Sequence, residues 1–180
     1  MRERFSVRVR APGPLVFAVG SEMDLQSLPA VRWIFRLREK LMGSATPSSR
    51  APQGMLQELI SLGWGILVDQ PGRLVVGGAA CQPWKADVVF HSIAADRFAA
   101  WAEPDHVKIT WTLEAEPIGP ELTRYVTETR AVATDAQARA RFRRYWRWAR
   151  VGIVAIRLLL RPAVRREAER RWSLDRLARL

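Results

Sequence analysis

The chain has 180 residues, of which 48% are hydrophobic and 26% charged, with a formal net charge of +11. That composition fits one folded domain spanning 1–180, long enough to bury a core. One cysteine, Cys81, excludes an intramolecular disulfide, and the longest apolar run, Val151 to Leu160, is broken by Arg157 and far short of the ~20 residues of a membrane span.

The N-terminus MRERFSVRVRAP lacks the apolar stretch of a secretory signal, so the expected compartment is a reducing cytoplasm. Phe5 to Arg10 alternates apolar and polar residues and reads as a first strand. Pro12-Gly13-Pro14 ends it, and Pro14 suits the first turn of a short helix running through Val19. A second helix is expected over Leu28 to Met42, capped by Asp24 or Ser27 and stopped at Gly43. Residues 43–54, GSATPSSRAPQG, read as a mobile surface loop.

Met55 to Leu62 is apolar-periodic and fits either a helical turn or a strand. ILVDQ, the turn Pro71-Gly72 and RLVVGGAAC then form a hairpin, in which Gly77-Gly78 signals a bulge or a close backbone approach. Asp87 to His91 reads as a short strand, and Arg97 to Ala102 as another short apolar segment. From Val107 to Ala115 every odd residue is apolar and every even one polar, the signature of a strand with one wet face. Pro117-Ile118-Gly119-Pro120 turns the chain into a last strand over Leu122 to Thr134.

Asp135 opens a long helix in which Phe142, Trp146, Ala149, Ile153, Ile156 and Leu160 repeat at three and four and face the sheet. Pro162 predicts a kink or break near Arg161, with a final helical segment to Arg171 and a frayed tail over 172–180. The basic charge concentrates here. Asp135 to Leu180 carries 14 Arg against Asp135, Glu167, Glu169 and Asp175, a net of +10, while the first 134 residues are nearly neutral. Arg139, Arg143, Arg147, Arg150, Arg157, Arg161 and Arg165 fall on one stripe, read first as the solvated face of a surface helix. An anionic membrane surface is the second expectation for it, with nucleic acid the weaker one.

The order of elements predicts an α+β fold of the helix-grip kind: a curved antiparallel sheet of six or seven strands around a long C-terminal helix, with two short helices after the first strand. Particular residues carry a resemblance. They are Leu62-Gly63-Trp64-Gly65, Asp69-Gln70-Pro71-Gly72-Arg73, Val76-Gly77, Pro83-Trp84 and Glu103-Pro104 before Val107-Lys108-Ile109-Thr110-Trp111. Thr127-Glu128-Thr129-Arg130, Phe142-Arg143-Arg144-Tyr145-Trp146 and Arg165-Arg166-Glu167-Ala168-Glu169 complete it. In these the chain resembles the START/Bet v 1-like superfamily, the group labelled polyketide cyclase or dehydrase and lipid-transport proteins, in an uncharacterised bacterial branch. The resemblance implies a fold and a pocket more than an activity.

Motif chemistry is sparse. With His91 and His106 the sole histidines, no metal site is expected, and no cofactor either, since no phosphate cradle or dinucleotide fingerprint is present. Glu103, Asp105 and His106 invite an acid–base reading, but a solvated histidine at a strand rim is the commoner outcome. Glu128 and Arg130 share a face of the last strand, with Tyr125, Thr127 and Thr129 on the other. Composition leaves open which face turns inward. Glu128 and Arg130 are thus either a cross-strand surface pair or a polar anchor inside an apolar pocket. Trp64, Trp84, Phe90, Trp101, Trp111, Tyr125, Phe142, Trp146 and Ile153 are the candidate lining of that pocket, with core packing as the plainer role for the tryptophans.

The leading expectation is therefore a cytoplasmic protein, monomer or homodimer, that binds a hydrophobic or lipid-like small molecule between sheet and C-terminal helix. A cyclase, hydratase or dehydratase using the same pocket is the alternative, and would need a titratable group inside it. A third is a basic surface module that docks on an anionic membrane or nucleic acid.

Overall fold

The structure is a computed structural model that describes residues 1–23 and 54–179. The predicted helix at Leu28–Met42 and the predicted loop at 43–54, save Gly54, lie outside these residues. The fold is α+β: a five-stranded antiparallel sheet and a long C-terminal helix. The strands are β1 (Arg2–Val9), β2 (Gly65–Gln70), β3 (Leu74–Cys81), β4 (Val107–Gly119) and β5 (Leu122–Ala133). Between them come α1 (Gly13–Glu22), α2 (Met55–Ser61) and the single turn α3 (Ala95–Phe98), and α4 (Ala136–Leu177) ends the chain.

Among the described residues five strands stand where six or seven were expected. Asp87–His91, expected as a strand, contributes only an isolated bridge from His91 to Ala80, and the short apolar segment at 97–102 begins in α3. Gln82-Pro83-Trp84 explains the first loss, because a proline donates no ladder hydrogen bond and the chain leaves the sheet there. Met55 to Leu62 resolves as helix α2.

The sheet order is β1-β5-β4-β3-β2. The chain's first strand is thus laid beside its last, with Phe5 opposite Thr127 and Val7 opposite Tyr125. In β4, Leu113 lies opposite Thr127 and Val75, and Trp111 opposite Thr129 and Gly77. The period of two places all of these on one face. Their face carries α1 and α4. Gly20 of α1 lies so close to the Tyr125 ring that a Cβ there would sit 2.6 Å from Cε2. Gly78, on the opposite face, makes room for side chains, since a Cβ there would clash with Leu67 Cδ1 and lie 2.9 Å from Phe98 of α3, and the expected bulge lies in the partner strand between Ile66 and Val68.

Asp135 caps α4, its side chain accepting from Ala138 N at 2.7 Å and from Asp105 N at 2.5 Å. These backbone donors, Asp105 first, hold the carboxyl below its ordinary range. The expected break at Pro162 is absent, and α4 runs on to Leu177, so 172–177 is helical and not frayed. Packing overrides propensity here: Leu160, Val164 and Ala168 on either side of the proline are buried in one core, while Pro162 points outward to water.

The core divides along α4. A larger cluster gathers Val9, Val16, Val19, Leu113 and Tyr125 under the C-terminal half of the helix. A smaller one joins Val107, Ala131 and Phe142 under its first turns. Each buried aliphatic side chain stabilises by roughly 1.5–3 kcal/mol. Between Ala149 and Arg157 no residue of α4 is fully buried.

Candidate functional site: a buried guanidinium between helix and sheet

Across that gap between the two clusters, one arginine reaches inward. Arg157 lies four residues after Ile153 and three before Leu160, so helical periodicity turns it onto the apolar side. Its guanidinium donates from Nη1 to Thr127 Oγ1 at 3.0 Å and from Nη2 to Thr129 Oγ1. It also stands 5.5 Å from the Phe5 ring, which Arg161 approaches at 5.4 Å. Arg157 is 8% exposed, and no carboxylate among the described residues lies within ion-pair distance of it. Burial pulls its pKa down, opposed by the fields of Tyr125, Glu3 and Glu128.

Tyr125, two residues before Thr127 on the same face, is 0% exposed. Its hydroxyl has no hydrogen-bond partner, and Arg161 Nε is likewise buried and unpaired. Burial drives the phenol pKa well above its ordinary 10.0, with Arg157 opposing, so the hydroxyl keeps its proton. An unpaired buried hydroxyl costs about 1–3 kcal/mol. The seam therefore holds unused donors: a neutral phenol and the edge of an arginine, next to a guanidinium held only by neutral threonines.

The two threonines face α4, so Glu128 and Arg130 take the other face, and the anchor role between sheet and helix is corrected. There Glu128 accepts from Arg2 Nε at 2.9 Å and Nη2 at 3.0 Å, and from Arg130 Nε, with Arg4 Nε at 3.8 Å. Burial raises its pKa, but the Arg2 and Arg130 hydrogen bonds outweigh that and hold it below the ordinary range. Glu128 is itself buried, ringed by the exposed arginines of β1 and β5.

The predicted lining residues separate into groups. Trp64, Trp111 and Tyr125 meet in the larger cluster, where Trp64 tilts against Phe90 at 5.2 Å. Trp84, Phe142 and Trp146 meet in the smaller one, with Phe142 stacked on Trp146 at 5.7 Å. Ile153 is half-buried between them, and Trp101 stands apart, edge-on to His106 at 5.3 Å. The His106 ring is tied to Pro104 O through Nδ1 at 2.7 Å. Two surface recesses lie elsewhere. One of about 510 Å3 is bordered by Arg10, Glu169, Trp172 and Arg176, and one of about 370 Å3 by Glu22, Gly54 and Leu56.

Among the described residues no three His, Cys, Asp or Glu side chains are placed to hold a metal ion, and no helix is long and apolar enough to cross a membrane. Sequence reasoning missed Arg157, Thr127 and Thr129 as a unit. Its signal is an arginine at apolar spacing within an aliphatic run, Val151 to Leu160.

No protein-family model and no curated protein matches the sequence. Among solved structures the chain is similar to DR_A0006 from Deinococcus radiodurans, at 16% identity over 84% of this chain and 99% of that one. The TM-score is 0.34, too slight a likeness to assign a fold.

Proposed function

We propose that this protein belongs to the START/Bet v 1-like superfamily as a helix-grip domain. In this reading it binds an amphipathic molecule with an anionic head between α4 and the sheet. The resemblance at Leu62–Gly65, Val107–Trp111 and Phe142–Trp146 supports the first part, together with the order of strands and long terminal helix. The observation that carries the second is the Tyr125 hydroxyl, fully buried without a partner and within the field of the Arg157 guanidinium. A carboxylate or phosphate would accept from both, and a charge-assisted hydrogen bond is roughly twice as strong as a neutral one. The apolar tail would lie along Trp111, Phe142 and Trp146. Entry would run through the middle of α4, where Gly152 to Ile156 are only half-buried and the helix can lift at least cost. A single cysteine, buried at Cys81, keeps a cytoplasmic setting as the natural expectation.

The test compares dodecanoate with dodecanol by titration of tryptophan fluorescence and by thermal shift. Dodecanoate should bind at least tenfold more tightly, and Arg157→Met should remove the difference. Equal affinity for the two probes, or an unchanged preference in Arg157→Met, would refute the reading.

A further inference from the structure

The side of α4 turned away from Arg157 has its own organisation. Trp148, Val151, Leu158 and Leu159 are 44%, 72%, 50% and 39% exposed, although all are large and apolar. With Gly152, Ala155 and Pro162 they fall within roughly 120° of the helix circumference and extend about 21 Å along it. No charged side chain lies in that sector between Trp148 and Pro162. Arginines bracket it on the same side, Arg144 and Arg147 before it, Arg165 and Arg166 after it. Arg144, Arg147 and Arg166 are exposed and make no ion pair with any described residue, while Arg165 pairs with Glu169 at 3.1 Å.

We propose that this outward face of α4 docks flat on an anionic phospholipid surface. The aliphatic strip and Trp148 would enter the headgroup–acyl boundary, while the bracketing arginines meet the lipid phosphates. An interfacial helix needs an apolar face wet on one side and cations at its margins, and binding strength grows with the apolar area buried plus the attraction to anionic lipid. Charge complementarity selects this occupant. The helix region carries a net +10, and its cations frame the apolar strip instead of interrupting it. A nucleic-acid backbone would match the arginines but leave the aliphatic centre against phosphate and water. This surface lies on the opposite side of α4 from Arg157 and stands whether or not the seam beneath takes a ligand.

Flotation with phosphatidylcholine vesicles, with and without phosphatidylglycerol, tests it on the full chain. Binding should require phosphatidylglycerol, shift Trp148 emission to the blue, and fall with added salt. Val151→Glu with Leu158→Glu should weaken it at least tenfold while leaving the thermal transition in place, because both side chains are exposed. If that pair disturbs folding, Val151→Gln with Leu158→Gln serves the same purpose. Absence of vesicle binding overturns the proposal. So does binding that survives these substitutions, which would be adsorption by the arginines alone. A dimer that the substitutions dissociate, or duplex DNA bound in place of vesicles, would assign the face to another partner and overturn it as well.

Discussion

Arg157 Nη1 meets Thr127 Oγ1 at 3.0 Å across the interface of α4 and β5, so a full positive charge is held inside the protein by neutral hydroxyls. A charge buried without a counter-ion costs several kcal/mol, and an uncharged side chain of similar length avoids that cost. Arg157→Met is therefore expected to leave the free protein as stable as wild type, or more stable by up to about 4 kcal/mol. Arg157→Ala, which opens a cavity at the same place, should lose about 2–5 kcal/mol. Urea unfolding of both variants decides. A methionine variant as weak as the alanine one would mean that the guanidinium stabilises the fold on balance.

Tyr125→Phe separates packing from binding. The ring stays against Gly20 and Leu113, and only a hydroxyl with no partner is removed. Stability should be unchanged or rise by about 1 kcal/mol, since burying that group unpaired is unfavourable. Affinity for dodecanoate should fall by about tenfold to a hundredfold, the worth of one hydrogen bond to a charged group. A thermal transition lowered by the substitution would reveal a structural partner for the hydroxyl.

The strands show how much of this was legible beforehand. Val107 to Ala115 announced β4 by strict alternation, and Asp135 announced the start of α4, because both signals are local and follow from backbone geometry. Pro162 misled, since its cost is local while the packing of Leu160, Val164 and Ala168 that outweighs it comes from distant strands. The inward face of β5 was undetermined for a related reason. Tyr125, Thr127 and Thr129 against Val126, Glu128 and Arg130 offers polar residues on both sides, and only the arginines of β1 and Arg157 of α4 settle which side each joins. The candidate site was thus half readable: its aromatic groups stood out, whereas its polar centre depended on a contact between residues thirty positions apart.

Gly20→Ala probes the wall behind the tyrosine. The added methyl would meet Tyr125 Cε2 at 2.6 Å, Cζ at 3.2 Å and Leu113 Cδ1 at 3.2 Å. The ring is fully buried and cannot swing into solvent, so α1 must move outward. Overpacking of this kind costs about 1–3 kcal/mol, more than the roughly 1 kcal/mol that alanine returns in helix propensity. A drop in the thermal transition is expected. A variant more stable than wild type would show that the ring has room to retreat, and hence that space exists beside its hydroxyl.

The Glu128 cluster gives the fold an acid dependence whose sign is fixed. Its carboxyl titrates below the ordinary 4.5 in the folded protein, so it binds protons more weakly there than in the unfolded chain. Its stabilising contribution is complete above the ordinary carboxylate value and is lost as pH falls through the lower, folded one. Glu167, held down to about 2 by hydrogen bonds from Arg170 and Arg171, loses its contribution across the same direction of pH. Glu167 and the helix cap Asp135 act alike in wild type and in Glu128→Gln, so the difference between the two proteins isolates Glu128. At neutral pH the variant should be less stable by about 1.5–3 kcal/mol, because Arg2, Arg4 and Arg130 keep their charges and lose their shared acceptor. On acidification below the ordinary carboxylate range that difference should shrink towards zero. Urea unfolding across a pH series measures it, and a gap that stays constant into strong acid would show that Glu128 is not ionised against its arginines in the folded state.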